Sequence, residues 1–222
     1  MEWGIRCYHE SRTAAQSCFI TLTYDDENLP PCLVKKDLQD FLKRLRKNTN
    51  RKLRYFACGE YGELTRRPHY HALVFGSDFR HQERITKTRG DYASPLIEKC
   101  WDKGLHECAS INGPSAFYVA GYETKKLMDS DTFTVMSRNI GKKWYEQHND
   151  DLRRTGKVII DGRELPIPKP YIKWSNGELD AHLDERHNHV KGIDPWESRQ
   201  IRDAKAKNMK AKKLQLCQIP AI

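Results

Sequence analysis

The segment 69–75, His-Tyr-His-Ala-Leu-Val-Phe, reads as an interior β-strand with histidines at its first and third positions. Side chains alternate across a strand, so His69 and His71 leave one face and Tyr70 the other. Two imidazoles so placed can share a divalent cation, and one carboxylate would complete a three-ligand set. The preceding strand runs from Leu53 to Glu60, and the intervening residues include Gly62 and Pro68, which predicts an antiparallel hairpin with a working loop. That hairpin brings Glu60 close to His69 as the third ligand, with Glu63 in the loop as second choice. The plainer alternative is a pair of ordinary hydrogen-bonded histidines.

Helix and strand signals alternate around the hairpin. Residues 2–16 carry a weak helical pattern. Cys18 to Tyr24 is β-rich and alternating, and it is stopped by Asp25-Asp26-Glu27-Asn28 and Pro30-Pro31. Val34, Leu38, Phe41, Leu42 and Leu45 recur at helical spacing, predicting an amphipathic helix over 34–48 whose polar face is dominated by Lys35, Lys36, Lys43, Arg44, Arg46 and Lys47. Ser94 and Pro95 open a short helix to about Trp101, as N-cap and first helical residue. A strand follows over 105–111, and Asn112-Gly113-Pro114-Ser115 introduces a helix over 115–127. Strand 133–136 and helix 141–150 come next. Asp161-Gly162, between Val158 and Leu165, suits the type I′ turn of a hairpin. The order implies an α+β fold, a mostly antiparallel sheet with helices packed on a face.

A formal charge of +9 and a pI near 9.2 point to a polyanionic partner, nucleic acid ahead of an acidic membrane surface. No apolar run approaches the roughly 18 residues that span a bilayer, and no signal-peptide pattern opens the chain. Seven cysteines without a Cys-x-x-Cys favour reduced thiols in a cytoplasm over a disulfide framework or zinc ribbon. Cys100, His106 and Cys108 match no standard zinc spacing. Residues 199–213 hold seven Lys/Arg against Asp203, a solvated or nucleic-acid-binding helix or a disordered tail.

A nucleophile is available downstream. Tyr118 and Tyr122 sit at i and i+4, which stacks both on one helix face, with Lys125 close to one turn beyond Tyr122. A phenol near pKa 10 is a poor nucleophile at neutral pH. A nearby cation lowers the cost of the phenolate, and a metal neutralises charge developing on a scissile phosphate. Taken alone, two such tyrosines are more often packing or surface residues; the histidine pair changes that weighing. Arg66 and Arg67, just before the histidines, are placed to meet phosphates.

These elements resemble the three motifs of HUH endonucleases: Phe19-Ile20-Thr21-Leu22-Thr23-Tyr24, Gly59-Glu60-Tyr61-Gly62 with Arg67-Pro68-His69-Tyr70-His71, and Tyr118-Val119-Ala120-Gly121-Tyr122 with Lys125. They are most similar to the rolling-circle replication initiators of Microviridae, gokushovirus-type bacteriophages. The resemblance implies a ferredoxin/RRM-like sandwich, a central antiparallel sheet holding the metal with the tyrosine helix beside it. It further implies a nicking domain over 1–145, an extension with a hairpin over 146–198 and a basic tail over 199–222. By the same resemblance His69, His71 and Glu60 bind Mg²⁺ or Mn²⁺. Tyr122 is the first-ranked nucleophile and Tyr118 the second, and Lys125 assists the phenolate or the leaving oxygen. Arg66, Arg67, Lys126, Lys43 and Arg44 are its DNA contacts. The implied substrate is single-stranded viral origin DNA in a host bacterial cytoplasm, nicked to leave a 5′-phosphotyrosine link and a free 3′-hydroxyl, with host helicase and polymerase as partners and no membrane. Relatives commonly carry an extension before the helix that begins here near Trp3, implying a shorter or truncated member. Two other readings stay open: a non-catalytic single-strand-binding module, and a metal-dependent phosphodiesterase that uses water.

Overall fold

The computed structural model describes residues 1–62, 66–80, 84–85, 91–125 and 131–182, with backbone alone at 84–85 and 122–125. Glu63, Lys126 and the basic tail lie outside the described residues. The chain runs α1 (Glu2–Thr13), β1 (Ser17–Tyr24), α2 (Lys35–Thr49), β2 (Arg54–Tyr61), β3 (Pro68–Phe75), β4 (Arg84–Ile85), β5 (Tyr92–Ala93), α3 (Pro95–Cys100), β6 (Gly104–Ala109), α4 (Gly113–Lys125), β7 (Phe133–Met136), α5 (Lys142–Thr155), β8 (Lys157–Ile160), β9 (Arg163–Pro166) and α6 (Lys169–Trp174), then a short 3₁₀ turn at Asp180–His182. It divides into two compact units, one formed mainly by residues 3–123 with 132–144 and a smaller one from Tyr145 onward.

The larger unit is an α+β sandwich on a seven-stranded sheet of order β4-β5-β6-β1-β3-β2-β7, in which every pairing is antiparallel. β1 enters between β3 and β6, which places its register against the histidine strand: Thr21 opposite His71 and Thr23 opposite His69. On the other side of β3, Glu60 of β2 lies opposite His69. Strand alternation then separates two apolar layers. Cys18, Ile20, Leu22 and Tyr24 of β1, with Tyr70, Ala72 and Val74 of β3, pack on Leu38, Phe41, Leu42 and Leu45 of α2 and on Ile97 and Cys100 of α3. Phe56, Cys58, Leu73 and Phe75 face Cys7 of α1 and Ala116 and Val119 of α4. Helices therefore cover both faces rather than one. Each face of a two-sided apolar strand must be shielded from water.

Several boundaries differ from expectation for local reasons. α1 stops at Thr13 because Ala14 turns extended. α4 begins at Gly113, two residues early, because Asn112 caps it: its Oδ1 accepts the Ser115 N–H and Ser115 Oγ accepts the Asn112 N–H, both at 2.8 Å. Ser94 does occupy the N-cap position of α3 but makes no side-chain cap hydrogen bond, leaving Pro95 and the burial of Ile97 and Cys100 to set that helix. The two-residue strands β4 and β5 and the short α6 carry too little periodicity to be read in advance.

In the smaller unit the β8–β9 hairpin turns at Asp161 and Gly162, both with positive φ as a type I′ turn requires. Its core gathers Leu152, Val158, Ile160 and Ile167 with the ring cluster of Tyr145, Tyr171 and Trp174. No helix among the described residues is long and apolar enough to cross a membrane.

Candidate metal centre and tyrosine helix

β2 and β3 deliver three donors to one point. His69 Nε2 lies 2.9 Å and His71 Nε2 3.0 Å from the same oxygen, Glu60 Oε1. The His69 contact has the geometry of a hydrogen bond. The three ligand atoms all fall within 4.8 Å of one another, and Glu60 and His71 are buried. Among the described residues this is the one group of three or more His, Cys, Asp or Glu able to hold an ion.

The other ring nitrogens are also engaged. His69 Nδ1 sits 3.1 Å from the Arg67 carbonyl, which can only accept, so Nδ1 carries the proton there. Both nitrogens of His69 thus face acceptors, and a divalent ion would replace a proton at Nε2. His71 Nδ1 lies 3.1 Å from Thr21 Oγ1. With Nδ1 anchored outward on each ring, Nε2 is the atom turned toward Glu60, the usual way in which an outer partner fixes a ligand imidazole. The donor chemistry fits a divalent metal: two imidazole nitrogens and one carboxylate.

Electrostatics agree. Burial alone would raise the Glu60 carboxyl, but the adjoining imidazoles, His69 first, outweigh it and bring it down to about 2. Burial pushes His71 below the usual histidine value, with Glu60 opposing, so the neutral, metal-binding form is favoured.

α4 brings Tyr118 to this centre. Its ring stands edge-on to His71 with centroids 5.8 Å apart, and the residue is 53% exposed, so the hydroxyl-bearing ring is both beside the donors and open to a ligand. Gly4 lets α1 approach α4 closely: a Cβ there would run into the Phe117 ring. Tyr122 follows one turn later on the same helix and Lys125 ends it; the side chains of both lie outside the described residues.

The expected DNA contacts are placed variously. Arg66 has its guanidinium 4.9 Å over the Tyr61 ring. Arg67 braces the loop after β1, donating from Nε to the Tyr24 carbonyl at 3.1 Å and pairing with Asp26 at 2.7 Å. Arg44 donates to the Cys100 carbonyl and to Asp102. Lys43 is 73% exposed and lies 3.3 Å from Asp40. Sequence reasoning did not assign Thr21 a place beside His71. Its signal was the β1 motif itself, but only the long-range β1–β3 register turns that motif into a contact.

Comparisons with known proteins match this arrangement. The sequence model of the replication-associated protein ORF2 family matches residues 17–127, the span from β1 through α4. The chain is 36% identical to replication-associated protein VP4 of Bdellovibrio phage phiMH2K, over 78% of this chain and 62% of that one. It is 32% identical to replication-associated protein ORF2 of Spiroplasma virus 4, over 76% and 61%. To replication-associated protein ORF4 of Chlamydia phage 1 it is 26% identical, over 77% and 48%. The chain thus spans less than two thirds of the length of these curated relatives. No solved structure matches it. The family match takes in the β1 strand, the paired histidines and the tyrosine helix together, and this chain belongs to the replication-associated protein ORF2 family.

Proposed function

We propose that this chain is a phage replication initiator that nicks single-stranded origin DNA through a tyrosine. The observation that carries the reading is the exposed Tyr118 ring against His71, on the open side of the Glu60–His69–His71 set. A divalent ion held there, Mg²⁺ or Mn²⁺, supplies Lewis-acid charge to the scissile phosphate.

The tyrosine oxygen attacks phosphorus after losing its proton to solvent. The P–O3′ bond breaks as the P–O(Tyr) bond forms. The leaving oxygen takes up a proton to become a free 3′-hydroxyl, and the 5′ end stays on the tyrosine. Attack by a 3′-hydroxyl on that link reverses the step and rejoins the strand. Tyr118 and Tyr122 are the nucleophiles, and two of them allow one to hold a 5′ end while the other cleaves. Lys125 assists the phenolate or the departing oxygen. In this reading residues 1–145 are the nicking domain, 146–198 an extension and 199–222 a basic tail. The host helicase and polymerase extend the 3′ end in the bacterial cytoplasm, and Arg66, Arg67, Lys43, Arg44 and Lys126 meet the DNA.

The test is a denaturing gel after incubation with Mn²⁺ and labelled single strands tiled across the genome that encodes the chain. Wild type is expected to give a covalent protein–DNA band that is lost when Tyr118→Phe and Tyr122→Phe are combined; the single variants show which tyrosine cuts first. Cleaved DNA without an adduct would mean a water-using phosphodiesterase. Binding without cleavage across all strands would mean a non-catalytic module.

A further inference from the structure

We propose a second DNA-backbone site at the opposite end of the sheet from the metal centre, in a cleft of about 710 Å³ between the end of α2, the start of α3 and the turn after β3. Its volume is in the range of sites that enclose small organic groups. Its rim, however, is set by three exposed cations, Arg51, Arg80 and Lys99, against one acid, Asp78.

The acid is turned to the backbone. Asp78 Oδ1 accepts the Arg80 backbone N–H at 3.2 Å, and the Asp78 carbonyl accepts the Tyr92 hydroxyl. Among the described residues neither Arg51 nor Lys99 pairs with a carboxylate, and Arg51 donates to Gln16 Oε1, at 3.4 Å. Arg80 is held in place: its guanidinium lies 4.2 Å over the Tyr92 ring and its Nη2 donates to Ser110 Oγ at 3.2 Å. One fixed guanidinium and two cations without carboxylate partners, gathered around one hollow, suit a polyanion.

The turn that builds this rim is strained. Phe79 has φ +55° while 4% exposed, a left-handed conformation that a bulky residue rarely adopts. Such strain costs on the order of 1–3 kcal/mol and persists only where surrounding bonds impose it. Here Ser77 Oγ accepts the Phe79 N–H, and the Asp78 carboxylate accepts the next one. The result is an apolar wall, Phe79 with Leu96, beneath a cationic edge. Sugar and base can rest on such a wall while phosphates meet the edge.

An open cleft with its charge at the rim favours a strand passing through over a small molecule enclosed within. Ser77 is six residues beyond His71 along and past β3, a separation on the order of 20 Å at about 3.3 Å per residue. A strand held here is gripped well away from the scissile phosphate, so it stays bound while its cut end is exchanged. The ligand class rests on the DNA-nicking reading; the measurement does not.

The test is fluorescence anisotropy of a labelled single-stranded oligonucleotide in EDTA, where nicking is silent, with Arg51→Ala/Lys99→Ala against wild type. Both side chains are exposed, so the melting temperature is expected to hold. Affinity is expected to fall about tenfold, and the slope of log K against log salt to become less negative by about 0.7 for each phosphate pairing removed. Arg51→Lys/Lys99→Arg restores both. Unchanged affinity and slope in the alanine variant would overturn the proposal, as would full displacement of the strand by equimolar dATP, which would mark a free-nucleotide pocket. An adduct with an unchanged slope sinks the cleft alone. A changed slope with no adduct sinks the nicking reading alone.

Discussion

His71 is useful to a metal only if its Nε2 lone pair faces Glu60, and that is decided at its other nitrogen. Thr21 Oγ1, 3.1 Å from Nδ1, is the polar group that anchors it. Thr21→Val keeps the shape and removes the hydroxyl, so the ring loses its orienting partner while the strand remains. Mn²⁺ affinity by titration calorimetry is expected to drop about 10- to 100-fold, as when other outer partners of ligand histidines are lost. An unchanged affinity would show that packing against Phe19 and Tyr118 orients the ring instead. The pH dependence follows from the same site. Glu60, brought down to about 2, is ionised throughout the working range and releases no proton on metal binding. The protons come from imidazole, so affinity is expected to weaken as pH falls through and below the ordinary histidine value near 6.5. Burial pushes His71 to titrate later in that descent. Constant affinity from about pH 5 to about pH 8 would remove the histidines from the ligand set.

At the scale of elements, the β2–β3 hairpin was legible because its information is local: Gly62 and Pro68 in the loop, Glu60 at one end and His69 at the other. The α4 helix was legible for the same reason, and its start was misplaced only because the Asn112 cap was not recognised. The position of β1 was not legible, since nothing in Cys18–Tyr24 says that it lies between β3 and β6 rather than beside β2. Equally hidden was the purpose of α1, a weakly patterned helix with a buried acid. Glu10 Oε1 pairs with Arg54 Nε of β2 at 2.5 Å, and Oε2 accepts the Gly141 N–H at 2.7 Å. Arg54 Nη2 then reaches the Arg138 and Asn139 carbonyls, and Arg6 Nε the Ile140 carbonyl. One carboxylate therefore ties a helix, a strand and the loop before α5. Glu10→Ala leaves a half-buried guanidinium and a buried N–H without that partner, so a loss of about 3 kcal/mol is expected in urea unfolding. A loss below about 0.5 kcal/mol would mean that water replaces the carboxylate.

For the whole molecule, the net charge of +9 was plain from composition, yet composition cannot say which cations are available to a partner. The fold uses some of them internally. Arg44 and Lys43 are neighbours on α2 and look equivalent in sequence, both on its basic face. In the folded chain Arg44 bridges to the segment after α3 through the Cys100 carbonyl, at 2.8 Å, and Asp102, at 2.9 Å. Lys43 projects into solvent, with its ammonium 3.3 Å from Asp40 on the same helix. The two substitutions should therefore separate. Arg44→Ala is expected to lower stability by about 1 kcal/mol, mostly from the hydrogen bond, because the Asp102 pair is solvent-exposed and worth little. Its effect on the salt slope of single-strand binding should be small. Lys43→Ala should leave the melting temperature unchanged and make that slope less negative by about 0.7 if its ammonium meets a phosphate. Equal slope changes from both variants, with no loss of stability at Arg44, would show that the α2 face acts as one diffuse field and that the Arg44 bridge opens when DNA binds.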